Sequence, residues 1–502
     1  MRIVAFGDSI TEGLAGGITR EQNWLNLLSK KLGSDFEFFN AGVGGNSARE
    51  AMARFEKDVL ARDPDVVLLE FGGNNHDPAP ERKARRVPDQ EFRSLLEKFK
   101  AGLPAKCQVV MITFPPIINE QHQYFPRVPG GKVDEELQPQ RQIVRDFAAE
   151  NGYPLLDLYK EIYPRRYELI FPDGVHLNPA GQVFFAEKVA QTLESAGIVN
   201  KAKWLKQIGT PGNYIFEKSF KQIKKYCFED FDAELYLQAN GPGTFQRTIM
   251  VFPKKFTGKL PAVVVPFYSP EKMLGIDPAT GEILEKYVKI SMMRDLARRG
   301  YACISAEAYH LTYLKSDRDK EDFYRWHDAG TAVTQDHPSW TGMGKLIADT
   351  ELLTDILCED PRIDSSRIGI AGHSLGGKMA FYSGCLDPRI KVILASDFGF
   401  CWDNTNWKDI WYWGNKVESL KQLGMDHASL LGASGGKPFC LLAGEYDNDE
   451  SRQLMEQAPG YAPVDERRII FNHATGHRPP EDVLQKGYDF LDKWLQAESR
   501  CF

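Results

Sequence analysis

Short apolar runs that alternate with amphipathic stretches set the architecture of this chain. RIVAFG, FEFFNAG, DVVLLEFGG, QVVMITF and YPLLDL follow one another through residues 2–158. The segments between them, such as NWLNLLSKKL, place their apolar residues at helical intervals. Strands alternating with helices imply a parallel sheet covered on both faces. The series ends in GQVFFAEKVAQTLESAGI, a helix predicted to finish near Gly197. A second series opens with AELYLQANGPGTFQRTIMVFP, which reads as two antiparallel strands around Gly-Pro-Gly. PAVVVPFYS, YACISAEAY, IGIAGHS, KVILASDFG and PFCLLAGEYD follow, with helical stretches between most of them. A chain of 502 residues exceeds the usual size of one hydrophobic core. The expected division is a first α/β domain over 1–199, a basic, weakly periodic connection over 200–230, and a second α/β domain over 231–502.

A net charge of −7 and a pI near 5.9 argue against a general binder of phosphate backbones, so nucleic acid is not an expected partner. No apolar run approaches the roughly 18–20 residues that span a bilayer, so no membrane partner is expected either. The first strand begins at Arg2, and the eight cysteines include no CxxC pair. Most of them sit in apolar runs such as PFCLLAGE, as small core residues do. Together these features set the expectation of a reducing, cytoplasmic location. The ten histidines form no HExxH spacing, and there is no GxGxxG or Walker loop. No metal and no cofactor are expected.

AFGDSITEG (5–13) places Ser9 in a turn directly after a buried run, at the sheet edge where α/β proteins build their sites. A local alternative makes Ser9 a helix N-cap, with Glu12 closing a capping box. Three later blocks bear on the choice: NAGVGGNSA (40–48), FGGNNHD (71–77) and FPDGVHLNPAG (171–181). In the last, Asp173 stands three residues before His176. A serine nucleophile needs a base, and the base needs a carboxylate to fix its tautomer. The developing oxyanion needs aimed donors, such as a glycine N–H and an asparagine side chain. The four blocks, in this order, resemble those of the SGNH (GDSL-type) hydrolases. The resemblance implies a flavodoxin-like α/β/α sandwich with Ser9 as nucleophile, His176 as base and Asp173 as its orienting acid. It also implies an oxyanion hole built from the Ser9 N–H, Gly45 and Asn74, with Gly42 and Gly44 as alternatives to Gly45. Asn75 departs from the family, which usually carries aspartate there.

IGIAGHSLGGKMAF (368–381) contains Gly372-x-Ser374-x-Gly376 between a strand-like and a helix-like run. That is the pattern of a nucleophile elbow, whose small neighbours let strand and helix approach closely. Residues 215–502 resemble the α/β-hydrolase superfamily, on the side of the acetyl xylan esterases and dienelactone hydrolases. The resemblance implies Ser374 as nucleophile, Asp447 as acid and His477 as base, with Asp397 and His473 as the alternatives. The oxyanion donors would be the Leu375 N–H and one from the loop after AVVVP, at Tyr268 or Phe267. Trp402, Trp407, Trp411 and Trp413 crowd CWDNTNWKDIWYWG (401–414), and Trp326 and Trp340 lie in the same domain. Aromatic faces beside Asn and Asp suit sugar rings, although the same residues can fill the core of a cap. The expectation is a serine carboxylic-ester hydrolase with two sites, acting through acyl-enzymes. Its substrates would be acetylated, plant-polysaccharide-derived oligosaccharides. The rivals are a lipase, lysophospholipase or thioesterase, or one catalytic domain with the other as a binding module.

Overall fold

A computed structural model describes residues 1–75, 87–122, 132–209, 220–241, 243–277, 280, 282–320 and 322–496. They fall into two units, Met1–Ala202 and Lys203–Phe502.

The first unit is built on five parallel strands: β1 (Arg2–Gly7), β2 (Glu37–Gly42), β3 (Val66–Glu70), β4 (Gln108–Ile112) and β5 (Leu155–Leu156). Their order is β2-β1-β3-β4-β5. The chain therefore leaves β1 to one side for β2 and returns on the other for β3. That makes the end of β1 the switch point at which open α/β sheets form a crevice. Ile3, Val4, Ala5 and Phe6 are all buried, because helices cover both faces. Ile3 and Ala5 join Trp24, Leu28 and Phe185 on one side, while Val4 and Phe6 join Phe55 and Phe99 on the other. A strand covered on both faces reads as a continuous apolar run, which is what RIVAFG is.

In the second unit, nine described strands form one sheet: β6 (Phe220–Cys227), β7 (Phe231–Gly241), β8 (Thr244–Pro253), β9 (Leu260–Val264), β10 (Ala302–Ala306), β11 (Ile363–His373), β12 (Ile390–Ser396), β13 (Phe439–Ala443) and β14 (Arg468–Asn472). The order is β14-β13-β12-β11-β9-β10-β8-β7-β6. Strands β6, β7, β8 and β10 pair antiparallel, and the pairs from β10–β9 through β13–β14 are parallel. This is the α/β-hydrolase layout. The Gly-Pro-Gly turn does join two antiparallel strands, β7 and β8, although Pro242 lies outside the described residues.

One boundary differs from the sequence reading. Residues 220–227, expected within the connection, form edge strand β6. Its Lys221, Lys224 and Lys225 are exposed. Lysine is a common guard of an open sheet edge, and here it gave the strand the composition of a linker. Residues 210–219 of that connection lie outside the described residues.

Glycines fix the turn between β11 and the helix Leu375–Leu386. A Cβ on Gly372 would sit 2.1 Å from the Gly376 carbonyl oxygen, and one on Gly376 would sit 2.1 Å from that of Pro266. Between them, Ser374 adopts φ 58°, ψ −117°, a strained conformation that costs roughly 1–3 kcal/mol. Gly372→Ala or Gly376→Ala should lower the second unit's stability by at least about 1–3 kcal/mol, the usual cost of overpacking. Urea unfolding followed by hydrogen exchange in β11 and β12 would measure it, and an unchanged midpoint would contradict the close approach.

Candidate active sites

The first site forms where β1, β2 and β3 end side by side. Asp8 caps the one-turn helix Ser9–Glu12, its Oδ1 accepting the Ile10 N–H at 3.0 Å. The cap is thus Asp8, and Ser9 is left free to point elsewhere. Its Oγ lies 3.0 Å from His176 Nε2, and His176 Nδ1 lies 2.7 Å from Asp173 Oδ2. The second oxygen of Asp173 accepts the backbone N–H groups of Val175 and His176. Partial burial raises the Asp173 pKa, but the bonds from His176 and from these amides outweigh it and hold the carboxyl below its ordinary value. Ser9, His176 and Asp173 form one hydrogen-bonded chain.

Asn74, at the end of β3, directs its Nδ2 to Asp8 Oδ2 at 3.1 Å and to the Asn46 carbonyl at 3.3 Å. In the glycine block, Gly44 lies against the nucleophile. A Cβ there would be 3.9 Å from Ser9 Cβ, and Gly45 turns the chain with φ 76°. Asn75 is buried, accepts the Ala48 N–H at 2.9 Å and donates to Gln140 Oε1 at 2.8 Å. The departure from aspartate therefore sits in a structural tie from this loop to the helices Ala48–Asp58 and Gln138–Asn151 and hydrogen-bonds neither Ser9 nor His176.

A pair that the sequence reading missed lies beneath Ser9. Asp8 and Glu70 are both buried and interact electrostatically, and Thr11 Oγ1 donates to Glu70 Oε2 at 3.0 Å. Neighbouring carboxyls disfavour each other's ionised form. Burial raises Asp8 to about 6, and burial together with the Asp8 charge pushes Glu70 well higher. Glu70 is therefore the partner that keeps the proton. The available signal was a lone glutamate ending an otherwise apolar strand, VVLLE.

In the second site the acid is not the one expected. His477 Nδ1 lies 2.7 Å from Asp397 Oδ2, at the end of β12. Asp397 also accepts the backbone N–H groups of Gly444, Glu445, Tyr446 and Asp447 at 2.9–3.0 Å. Burial raises its pKa, but His477 and these amides bring it below the ordinary range. Asp447 faces the opposite way, accepting the N–H groups of Phe398, Gly399 and Phe400 and the Ser451 hydroxyl. Each aspartate thus holds the backbone turn that carries the other. Asp447 is spent on structure, and only Asp397 reaches His477.

Ser374 Oγ and His477 Nε2 are not hydrogen-bonded to each other among the described contacts, an open geometry common before substrate binds. His473, the alternative base, bonds Thr475 Oγ1 through Nδ1 at 2.7 Å and meets no catalytic carboxylate. The helix that follows Ser374 adds Lys378, also missed by the sequence reading. Its Nζ donates to the Phe398 carbonyl at 2.9 Å and to Thr405 Oγ1 at 2.7 Å, next to the Asp397 turn. Burial lowers its pKa to about 7. A lysine inside a wholly buried helix was the available signal.

The loop holding Tyr268 does abut the elbow, through Pro266 and Phe267 against Gly376. The tryptophans do not form a sugar platform. Trp402, Trp407, Trp411 and Trp413 are each at most 6 % exposed, and Trp326 and Trp340 are buried with them. Trp402, Trp407 and Trp413 donate their indole N–H groups to Met425 O, Gly399 O and the Tyr382 hydroxyl. They are core residues, packed around Tyr382 and His427.

Two outcomes test these sites. Asp397→Asn should cut the second site's turnover by about 10⁴ through the wrong histidine tautomer, far more than Asp447→Asn. Steady-state kinetics in a Ser9→Ala background would reveal a reversed order. The acid pair makes a prediction about pH. A folded carboxyl with a raised pKa keeps a proton that the unfolded chain releases, so its stabilisation fades as pH rises above the ordinary value. Glu70→Gln mimics the protonated form, so its stability relative to wild type should rise from pH 5 to pH 8. Urea unfolding read by hydrogen exchange in β1 and β3 would check the trend, and a flat difference would contradict the retained proton.

Residues 5–183, which hold all four blocks of the first site, match the GDSL-like Lipase/Acylhydrolase family. The chain is 30% identical over 204 residues to the uncharacterized lipoprotein YqeF of Bacillus subtilis (strain 168), covering 36% of this chain and 84% of that protein. It is 27% identical over 196 residues to esterase TesA of Pseudomonas aeruginosa, covering 38% and 87% respectively. Among solved structures, the glucuronoyl esterase from Solibacter usitatus aligns with 60% of this chain and 93% of its own, at 12% identity and a TM-score of 0.45. With its family blocks assembled around a hydrogen-bonded Ser9–His176–Asp173 chain, the protein belongs through residues 5–183 to the GDSL-like lipase/acylhydrolases and is a carboxylic-ester hydrolase.

Proposed function

We propose that the chain is a two-site serine esterase removing short acyl groups, acetyl above all, from plant-polysaccharide-derived oligosaccharides. The observation that carries the two-site reading is that each sheet edge presents a serine and a histidine bonded at 2.7 Å to its own carboxylate. At the first site His176 Nε2 takes the Ser9 proton as Oγ attacks the ester carbonyl, while Asp173 stabilises the imidazolium. The oxyanion displaces the longer of the two Asn74 contacts, that to Asn46, and the contact to Asp8 keeps the amide aimed. As the intermediate collapses, the His176 imidazolium passes its proton to the leaving oxygen and the alcohol departs; the neutral imidazole then activates the water that hydrolyses the acyl-enzyme. At the second site Ser374, His477 and Asp397 take the same roles, with the Leu375 N–H as the first oxyanion donor and the Tyr268 loop supplying the second.

A hydroxylated alcohol is supported by the cleft beside the Ser9–Glu12 turn, whose wall includes the Glu12 carboxylate, a hydrogen-bond acceptor. The reading includes a cytoplasmic location, in keeping with the free thiols of the seven described cysteines.

Ser9→Ala and Ser374→Ala should each leave a different residual ester on a multiply acetylated oligosaccharide, and the double variant should release no acetate. Acetate assays with NMR mapping of the products would read this. If one substitution stopped all release and the other changed nothing, the two-site reading would fail and the silent unit would be a binding module. Faster turnover of long-chain than of acetyl p-nitrophenyl esters would favour the lipase or thioesterase reading instead. Asn74→Ala should cost the first site about 10²–10³ in rate, the usual loss for one oxyanion donor.

A further inference from the structure

A cleft of about 550 Å³ opens beside the Ser9–Glu12 turn, walled by the helix Trp24–Leu32 and the end of β2. Most polar groups in its wall are already committed. Asn23 donates to the Glu12 carbonyl at 2.7 Å and accepts the Leu25 N–H at 2.9 Å. Asn40 donates to the Thr11 and Glu12 carbonyls at 3.1 and 3.2 Å and accepts the Gly42 N–H at 2.9 Å. Together they lock the backbone of the turn that carries Glu12.

The Glu12 carboxylate itself has no hydrogen bond or ion pair among the described residues, although it is only half exposed. Its place relative to the nucleophile is set by Gly44. A Cβ on Gly44 would lie 2.9 Å from Glu12 Oε2 and 3.9 Å from Ser9 Cβ, so the two side chains flank the same stretch of backbone. Ser9 and Glu12 are also three residues apart on one helical turn, which brings them to one face. An ionised carboxylate only accepts hydrogen bonds, and its two oxygens match two adjacent hydroxyls. Arg20 and Glu21 line the same cleft with opposite charges, which leaves Glu12 as its third ionisable group.

We propose that this cleft is the alcohol-side subsite of the Ser9 site and that Glu12 is its specificity residue, accepting hydrogen bonds from vicinal hydroxyls of a sugar ring. The proposal rests on the carbohydrate-ester reading. In the full chain carrying Ser374→Ala, only Ser9 reports. The quantity to measure is kcat/KM for acetylated xylobiose divided by that for p-nitrophenyl acetate, whose leaving group has no vicinal hydroxyls. Glu12→Ala should lower that ratio by about 10–100-fold, mainly through KM, as loss of a hydrogen-bonded charge does. Glu12→Gln, which keeps one acceptor, should recover part of it. An unchanged ratio in Glu12→Ala, whether both rates hold or both fall equally, overturns the subsite, as does a Glu12→Gln ratio no higher than that of Glu12→Ala. A Ser374→Ala parent that cleaves p-nitrophenyl acetate but no acetylated sugar overturns the carbohydrate reading itself, and the subsite with it.

Discussion

Neighbouring strands lie about 4.8 Å apart, and a parallel sheet delivers all its strand ends to one edge. Both candidate sites of this chain depend on that spacing. Ser9, Gly44 and Asn74 come from three stretches of sequence, yet they follow β1, β2 and β3, which are adjacent in the sheet. Asp397 and Asp447 follow β12 and β13, and β12 adjoins the β11 that leads into Ser374. The close spacing requires glycine wherever backbone meets backbone. A Cβ on Gly42 would fall 2.2 Å from the Glu12 amide nitrogen, and Gly372 and Gly376 are as tightly constrained. The glycines of both motifs serve access first and chemistry second.

The same spacing explains what could be read from sequence and what could not. Ser9, Asp173 and His176 were legible because each block carries its own local geometry, strand then turn, or an i, i+3 pair within one loop. Asp397 was not separable from Asp447. Both end strands that are neighbours, both are buried, and each accepts backbone amides from the other's turn. Only the side-chain direction assigns one to His477, and direction leaves no mark on spacing. The tryptophans failed for a different reason. Composition records an indole and a nearby amide, but not whether the ring faces water or Tyr382. Edge strand β6 was hidden by its own lysines, since the residues that protect an open edge also resemble a linker.

Buried ionisable groups are handled differently in the two units. Beneath Ser9 the problem is like charge, and burial together with the Asp8 charge raises Glu70 so that it keeps its proton. The Asp8 carboxylate holds the Asn74 amide, so the proton on Glu70 is linked to Asn74 through one hydrogen bond. Around Ser374 the buried group is an amine, Lys378, whose pKa burial lowers to about 7 and whose Nζ donates to the Phe398 carbonyl and Thr405 Oγ1. His373, beside His477, is kept neutral by burial and by the His477 charge, with a pKa near 3, and its Nδ1 meets Ser396 Oγ at 3.1 Å. A neutral neighbour lets His477 become an imidazolium without facing a second positive ring.

The two acid–base pairs also differ in how they are mounted, and this bears on how each site can move. Asp173 and His176 share one loop and are tied by local amides, with side chains 44 % and 27 % exposed. A shift of that loop carries acid and base together, so their 2.7 Å contact survives while the distance to Ser9 changes. Asp397 and His477 are 80 residues apart. The carboxylate there is fully buried and pinned by four amides of the neighbouring turn. A shift of the His477 loop stretches its bond to Asp397 directly. Loop movement thus carries the first pair as a unit, whereas the second pair's histidine is tied to a carboxylate anchored at the sheet.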